Sequence, residues 1–140
     1  MQQTKFKKDL KTGKKYENIA LELIQKTYPK AYIIDGYCKE WDIYIPELKI
    51  GVEVKRDEQY KVTGNFYVEY FCNNKPSGIS TTQSKYYFIY LDKLYVIETF
   101  KLKEKCRSYV GTNKDKLGGD DMASKGIILS LKELKELLWN

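Results

Sequence analysis

Hydrophobic positions near the start of the chain recur every three or four residues, and further along they alternate with polar positions. The first pattern covers residues 12–28 and predicts an amphipathic helix that ends before Pro29. Runs rich in β-branched and aromatic residues then predict short strands at 31–35, 42–45, 50–55, 65–71, 86–91, 94–99 and 127–130.

The second half of the chain adds two predicted helices and a polar loop. Residues 100–110 predict a helix, and Ser130 with Glu133 has the capping-box spacing that opens another. Residues 111–126 are polar and glycine-rich, which predicts a mobile loop. The order of elements predicts an α+β (mixed α/β) fold, with a single central mixed β-sheet flanked by helices. Its 140 residues are enough for one such domain, residues 1–140, and too few for two.

Residues 42–55 predict a hairpin whose register follows from its alternation. The register that buries the isoleucines and valines on one face pairs Ile45 with Ile50 across the turn 46–49. Asp42 then lies directly opposite Glu53. The other face carries Asp42, Tyr44, Gly51, Glu53 and Lys55. Gly51 opposite Tyr44 is expected to leave room for a substrate.

Composition narrows the possible functions. The chain is 31% charged with a formal net charge of +6, which favours a polyanionic partner such as nucleic acid. It has no histidine, which excludes zinc sites with histidine ligands, histidine-based nucleases and Ser-His-Asp triads. Its three cysteines, Cys38, Cys72 and Cys106, are too far apart to indicate a disulfide framework or a zinc knuckle. A general base or metal ligand must therefore be Asp, Glu, Lys or a backbone oxygen.

Two further observations bear on location. No apolar run approaches the length of a membrane span, and the first residues lack the apolar core of a signal peptide. We therefore expect a cytoplasmic protein without a membrane partner. The abundance of Lys, Ile, Tyr and Asn is typical of A/T-rich coding sequences, which favours a bacterial host cell or a phage that infects it.

The polar face of the hairpin predicts metal chemistry. Carboxylates directly opposite each other in antiparallel strands have Cβ atoms about 4.5–5.5 Å apart and repel each other. A divalent cation between Asp42 and Glu53 would reverse the sign of that interaction, and hard oxygen ligands suit Mg²⁺ or Mn²⁺. Lys55 lies on the same face and is placed to hold an attacking water or a scissile phosphate. Together these residues predict metal-dependent phosphodiester hydrolysis.

The spacing of these residues carries a family resemblance. Asp42, followed after ten residues by Glu53-Val54-Lys55, resembles the D…(D/E)-x-K signature of the PD-(D/E)XK nuclease superfamily. Trp41 stands where that name has proline. The resemblance implies a restriction-endonuclease-like fold and a Mg²⁺-dependent endodeoxyribonuclease. Asp42 and Glu53 would hold Mg²⁺, with Mn²⁺ as a substitute and the Val54 carbonyl as a third ligand, while Lys55 would assist the nucleophilic water.

The resemblance also extends to flanking segments. A glutamate on the first helix often joins the site in this superfamily, and the stretch GKKYENIA offers Glu17. The later stretch from Gly64 to Leu91 is similar to small phage and prophage nucleases, in which such a strand and a Ser-Gly turn follow the lysine. Glu69, in that strand, is a further candidate ligand.

Candidate DNA contacts lie outside the acidic site. They are Lys14, Lys15, Ser77 and Lys85. The lysines would neutralise phosphates, and Ser77 belongs to a turn whose backbone N–H groups could hold one. A homodimer is expected if both strands are cut.

Two other functions stay open. One is a non-catalytic DNA-binding module of nuclease-like fold in a DNA-processing complex. The other is a basic structural protein whose hairpin acids are ordinary surface charges. Acid-x-lysine triplets occur four times in this lysine-rich chain, and Glu47-Leu48-Lys49 lies close to the proposed site. Pro46 places that triplet at the hairpin tip, which is expected to be mobile and solvated.

Overall fold

Four α-helices and nine β-strands make up the described part of the chain. The computed structural model describes residues 5–36, 40–118 and 122–139. The helices are α1 (Lys5–Gln25), α2 (Tyr60–Thr63), α3 (Thr99–Tyr109) and α4 (Leu131–Glu136). The strands are β1 (Tyr32–Ile33), β2 (Ile43–Ile45), β3 (Ile50–Arg56), β4 (Asn65–Cys72), β5 (Lys75–Pro76), β6 (Tyr86–Tyr90), β7 (Leu94–Glu98), β8 (Asp115–Gly118) and β9 (Ser124–Ser130).

The described strands form two sheets, whereas the sequence predicted one. The first sheet has five strands in the order β1-β2-β3-β6-β7, and the second has four in the order β5-β4-β9-β8. Strands β1, β2 and β3 are antiparallel neighbours, and β6 lies parallel to β3. A parallel neighbour needs a crossover connection, which residues 57–85 supply. The mixed α+β class is as predicted.

The second sheet forms partly where the sequence predicted a loop. Strand β8 and the first residues of β9 lie within residues 111–126. The ring of Tyr67 on β4 covers Gly126 and also Gly118, where a Cβ atom would lie 2.9 Å from the ring. The Tyr67 hydroxyl is 2.7 Å from the hydroxyl of Ser124. A tyrosine from a neighbouring strand thus supplies the packing that glycine-rich strands lack.

Each face of the first sheet buries its own apolar cluster. On one face, Ala20 and Ile24 of α1 pack against Ile43, Val52 and Val54. On the other, β6 and β7 pack against the second sheet, α3 and α4. The largest fully buried side chains of that second cluster are Tyr87, Tyr95, Ile89, Ile97, Leu102, Ile127, Leu129 and Leu134. The molecule is therefore layered as α1, five-stranded sheet, then four-stranded sheet with α3 and α4.

Element boundaries differ from the predicted ones mainly at α1. This helix begins at Lys5, before the first apolar repeat, and ends at Gln25. The predicted capping box of α4 is present: Glu133 N–H donates to Ser130 Oγ at 3.2 Å, and Ser130 N–H donates to Glu133 Oε1 at 3.1 Å. The one-turn helix α2 and the short strand β5 were not predicted.

The structure also bears on two sequence predictions, one about membrane spans and one about cysteines. None of the described helices is both long enough and apolar enough to cross a membrane. Cys72 and Cys106 are free thiols, and Cys38 lies outside the described residues.

Candidate active site

The β2–β3 hairpin has the register that its alternation predicted. The pairs are Ile43 with Val52, Tyr44 with Gly51, and Ile45 with Ile50. Val52 and Val54 are buried toward α1. Glu53 and Lys55 alternate with these valines and so lie on the opposite face of the sheet. Glu53 is paired there with Tyr87 of the parallel strand β6.

Asp42 departs from that register. Continued pairing would set it opposite Glu53, but its N–H donates over 3.0 Å to the carbonyl of Val52, which already pairs with Ile43. Two residues then face one, which is the pattern of a β-bulge. Asp42 is only 7% exposed, and its Oδ2 accepts a 2.7 Å hydrogen bond from the Val54 N–H. The expected direct opposition is thus replaced by a carboxylate that acts as a backbone acceptor for β3.

Glu53 lies in a mostly buried polar niche, with its side chain 13% exposed. Thr82 Oγ1 donates to Glu53 Oε1 at 3.2 Å, and Ser84 Oγ is 3.5 Å from the same oxygen. Burial raises the pKa of Glu53 above its ordinary value; the Lys55 ammonium opposes this shift, and the Asp42 carboxylate adds to it. The two carboxyl groups therefore adjoin despite the bulge.

Sequence reasoning missed Thr82 and Ser84 as members of this niche. They belong to the polar stretch that leads into β6, and β6 is the parallel neighbour of β3. The sequence does show a cluster of hydroxyl residues before a strand. That cluster points to Glu53 only once it is known that this strand, β6, pairs with β3.

Lys55 is the partly exposed ion-pair partner of the buried Glu53 carboxylate. Its Nζ lies 3.7 Å from Glu53 Oε2, and its side chain is 47% exposed. Because Thr82 and Ser84 approach Oε1, the lysine approaches the other oxygen of the carboxylate. Glu53 and Lys55 therefore lie on the same face of β3, as their two-residue spacing predicted.

The Val54 carbonyl points toward the same edge as Asp42. In an extended strand, the N–H and C=O of one residue point toward the same neighbouring strand. The Val54 N–H points at the Asp42 carboxylate, and so its carbonyl is directed to that side as well. The role of the Val54 carbonyl as a metal ligand stays a prediction.

Gly51 does not leave the open space that the sequence suggested. A Cβ atom at Gly51 would lie 2.5 Å from the ring of Trp41, because that ring occupies the space above the glycine. Trp41 also stacks on Tyr44, with ring centroids 5.1 Å apart and planes inclined by 19°. Trp41, which stands where the PD-(D/E)XK signature has proline, is therefore part of the surface beside Asp42.

The other predicted acids lie on neighbouring elements. Glu17 is half-buried on α1, next to Tyr16, whose ring contacts Arg56 and Tyr90. Glu69 on β4 accepts a 3.0 Å hydrogen bond from Ser77 Oγ. Burial raises the pKa of Tyr87, and the carboxylates of Glu53, Asp42 and Glu69 add to that shift. Glu69 thus faces the same space between the sheets. The roles of Glu17 and Glu69 stay predictions.

The candidate DNA contacts are spread over the surface. Lys14, Lys15 and Lys85 are exposed. In the turn that begins at Ser77, the N–H groups of Ser77, Ser80, Thr81 and Thr82 donate to carbonyls of the chain itself. Those four groups are not available to a phosphate, and the hydroxyl of Ser77 is bonded to Glu69.

The donor set suits a cation only in part. Within residues 5–36, 40–118 and 122–139, no group of three or more His, Cys, Asp or Glu side chains is arranged to hold a metal ion. Asp42 and Glu53 give two carboxylates, and Val54 adds a carbonyl directed to the same edge. Mg²⁺ commonly uses one or two carboxylates and completes its shell with waters and substrate phosphate. This set therefore fits Mg²⁺ better than a cation that needs an all-protein cage.

Comparison with known proteins gives no further identification: the chain matches no family model, no curated protein and no solved structure.

Proposed function

We propose that this chain is a Mg²⁺-dependent endodeoxyribonuclease of the PD-(D/E)XK type, with a restriction-endonuclease-like fold. The observation that carries the proposal is the meeting of Asp42, Glu53 and Lys55 at one corner of the first sheet. A buried pair of carboxylates beside a half-exposed lysine is costly for folding, because like charges in a low dielectric repel. Such an arrangement is typical of functional sites.

Each residue has a defined role in this proposal. Asp42, Glu53 and the Val54 carbonyl hold Mg²⁺, or Mn²⁺ in its place. When bound, the cation supplies Lewis-acid neutralisation of the phosphate charge. Thr82 and Ser84 hold Oε1 of Glu53 and so orient its carboxylate. Glu53 must lose its proton to serve as a ligand, which its raised pKa makes harder in the absence of a cation.

Lys55 positions the nucleophile in this scheme. Its ammonium lies beside Glu53 Oε2 but is about half exposed, so it can donate to a water or to a phosphate oxygen that approaches from solvent. A fixed positive charge at the reacting phosphate stabilises the transition state. The helix α1 packs against the face of the sheet opposite to Glu53 and Lys55, so the predicted role of Glu17 is not part of this scheme.

The test is nicking of supercoiled plasmid DNA by the purified chain, with Mg²⁺, with Mn²⁺ and with EDTA. Cleavage is expected with either cation and not with EDTA. The variant Glu47→Gln is the matched control, because it removes an acid from the same hairpin outside the site. Absence of cleavage of both the plasmid and single-stranded DNA by the wild-type chain, with either cation, would refute the proposal.

A second candidate is a non-catalytic DNA-binding module of the same fold. The absence of a three-ligand cluster among the described residues favours it. In that case duplex DNA would bind in EDTA, no cation would support cleavage, and affinity would fall steeply with salt because lysines displace counterions. Replacement of Lys14 and Lys15 by Gln would weaken binding equally for all sequences.

We also propose that the chain forms a homodimer and that it acts in a bacterial host cell, encoded by the host or by a phage. One site of this kind cuts one strand, so a double-strand break needs two copies. Sedimentation velocity on the DNA-bound and free chain measures this directly.

A further inference from the structure

Three aromatic side chains form a row beside the candidate active site. They are Tyr32 of β1, Tyr44 of β2 and Trp41, which comes just before β2. The rings of Tyr32 and Tyr44 meet edge to face with centroids 5.9 Å apart, and Trp41 stacks on Tyr44 at 5.1 Å. Trp41 also covers Gly51 of β3. The row therefore crosses three neighbouring strands of the first sheet.

These rings lie outside the protein core. Tyr32 is 47% exposed, and Tyr44 and Trp41 are half-buried. None of the three belongs to either apolar cluster that the described residues form. Stacked rings held at the surface offer apolar faces and edges to a planar ligand.

Two lysines and the two acids of the candidate site lie near the row. Trp41 precedes Asp42 directly, and Gly51 lies two residues before Glu53 on the same face of β3. Lys85 is exposed and its N–H donates to the Gly51 carbonyl at 2.8 Å, while Lys55 is half-exposed beyond Glu53. Aromatic rings flanked by lysines are the combination that binds unpaired nucleic acid, because bases stack on the rings while the cations contact phosphates.

A paired duplex fits this row poorly. Bases inside a duplex already stack on each other and must leave the helix before they can stack on a protein ring. We propose that the row Tyr32–Tyr44–Trp41 binds single-stranded DNA and leads the strand to Asp42 and Glu53. This inference rests on the proposed nuclease function and names its substrate class, an unpaired strand.

Trp41 provides a direct probe of the row. In a Trp139→Phe background Trp41 is the only tryptophan, so its fluorescence reports stacking. Titration with a short oligothymidine in EDTA is expected to quench it in a saturable manner. The affinity is expected to exceed that for a duplex of equal length by at least about tenfold. Tyr32→Ala and Tyr44→Ala are each expected to weaken oligothymidine binding by about fivefold or more, the scale of losing one stacked base.

Phe100→Ala is the matched control, because it removes a 70% exposed aromatic ring from α3 and not from the row. The affinity of Phe100→Ala for oligothymidine is expected to stay within about twofold of wild type, because surface substitutions away from a site usually have small effects. Circular dichroism checks folding. If Tyr44→Ala unfolds, Tyr32→Ala decides the matter, because Tyr32 is exposed on the edge strand β1. Binding without quenching, unchanged affinity in Tyr32→Ala, or tighter binding of duplex would overturn the inference.

Two further outcomes separate this inference from the proposed function. Mg²⁺-dependent cleavage of plasmid without any quenching by oligothymidine would leave the nuclease standing and overturn the strand-binding row. Quenching without cleavage in any cation would support the row and refute the nuclease. A shift from dimer to monomer in Tyr32→Ala, with oligothymidine affinity unchanged, would instead assign the row to contact between copies of the chain and overturn the proposal.

Discussion

Two acid-x-lysine triplets lie six residues apart in one hairpin, and their environments are opposite. At the tip, Glu47 and Lys49 are exposed. In the strand, Glu53 is mostly buried, accepts a hydrogen bond from Thr82 and has a raised pKa. The same residue types are therefore chemically distinct because one triplet is held by a rigid strand and the other by a turn. A metal site needs the first kind of support.

The tip nevertheless has hydrogen bonds that the sequence did not predict. Lys49 adopts a left-handed backbone conformation with φ 57°, and its N–H donates to the Ile45 carbonyl at 2.8 Å. Glu47 Oε2 accepts a 3.0 Å hydrogen bond from the Lys30 N–H. Glu47 thus ties the turn to the segment after α1. This is a structural use of a carboxylate, in contrast to the one proposed for Glu53.

The largest contrast is expected in catalysis by the acids. Glu53→Gln and Asp42→Asn should each lower Mg²⁺-dependent nicking by at least about a thousandfold, because each removes a ligand charge from the preorganised site. Asn keeps an acceptor for the Val54 N–H, which protects the fold. Glu47→Gln should cleave like wild type. A comparable loss in Glu47→Gln would show that the site was assigned to the wrong triplet.

The lysines should differ next. Lys55→Ala is expected to lower cleavage by about a hundredfold, or roughly 2.7 kcal/mol in the barrier, the scale of one preorganised charge. Lys49→Ala should stay within about threefold of wild type, or about 0.7 kcal/mol. Metal affinity, measured by calorimetry with Mn²⁺, should be retained in Lys55→Ala. If Lys49→Ala were the damaging change, the proposed role of β3 would be wrong.

The pH dependence of cleavage sharpens the same comparison. Because burial raises the pKa of Glu53, the rate should fall on the acid side at a pH above the ordinary range of a glutamate. A cation competes with the proton for this carboxylate, and so more Mg²⁺ should move the acid limb to lower pH. Rate profiles at two Mg²⁺ concentrations measure the shift. An acid limb that ignores Mg²⁺ would contradict the ligand role of Glu53.

Stability should separate Asp42 from Glu47. Asp42→Ala leaves the buried Val54 N–H without its acceptor and is expected to cost about 1–3 kcal/mol of unfolding free energy. Asp42→Asn should cost less. Glu47→Ala should stay within about 1 kcal/mol, because its hydrogen bond with the Lys30 N–H is exposed. Urea denaturation in EDTA measures all three variants. A loss of stability in Asp42→Ala no larger than that in Glu47→Ala would contradict the role of Asp42 as acceptor for the Val54 N–H.

The smallest effect concerns Glu53 in the metal-free protein. Its folded-state pKa is raised, so its contribution to stability is full below the ordinary pKa and is lost as pH rises through the raised value. Glu53→Gln cannot titrate and should remove this decline. At pH 8 in EDTA it should therefore be the more stable form, by about 1 kcal/mol or less, the scale of a like-charge pair. Greater stability of the wild-type protein at that pH would reverse the sign argued here.

The hairpin was predictable because its two faces differ so clearly. Only one register buries Ile43, Val52 and Val54 together, and the structure has that register. The bulge at Asp42 was not predictable, because it depends on a side chain that replaces a backbone acceptor. Local alternation contains no information on that exchange.

The second sheet could not be predicted for a different reason. Strand β8 and the start of β9 carry Gly118 and Gly126, which in isolation are typical of loops. They become strands because the ring of Tyr67, more than fifty residues earlier in the chain, covers both. The niche of Glu53 has the same origin, since Thr82 approaches it only after β6 pairs with β3. Long-range pairing decided what the local pattern left undetermined.

The bulge at Asp42 has a consequence for how this chain can diverge. Under the proposed function, a lineage that abandons cleavage but keeps its fold can replace Glu53 and Lys55 together and so lose a buried charge, whereas Asp42→Ala leaves the buried Val54 N–H, at the open end of the hairpin, without its acceptor. Inactive descendants are therefore expected to keep Asp or Asn at position 42 and to vary at 53 and 55. In such a lineage, Asp42 would be the last of these residues to change, and its presence would indicate a structural role and not a catalytic one.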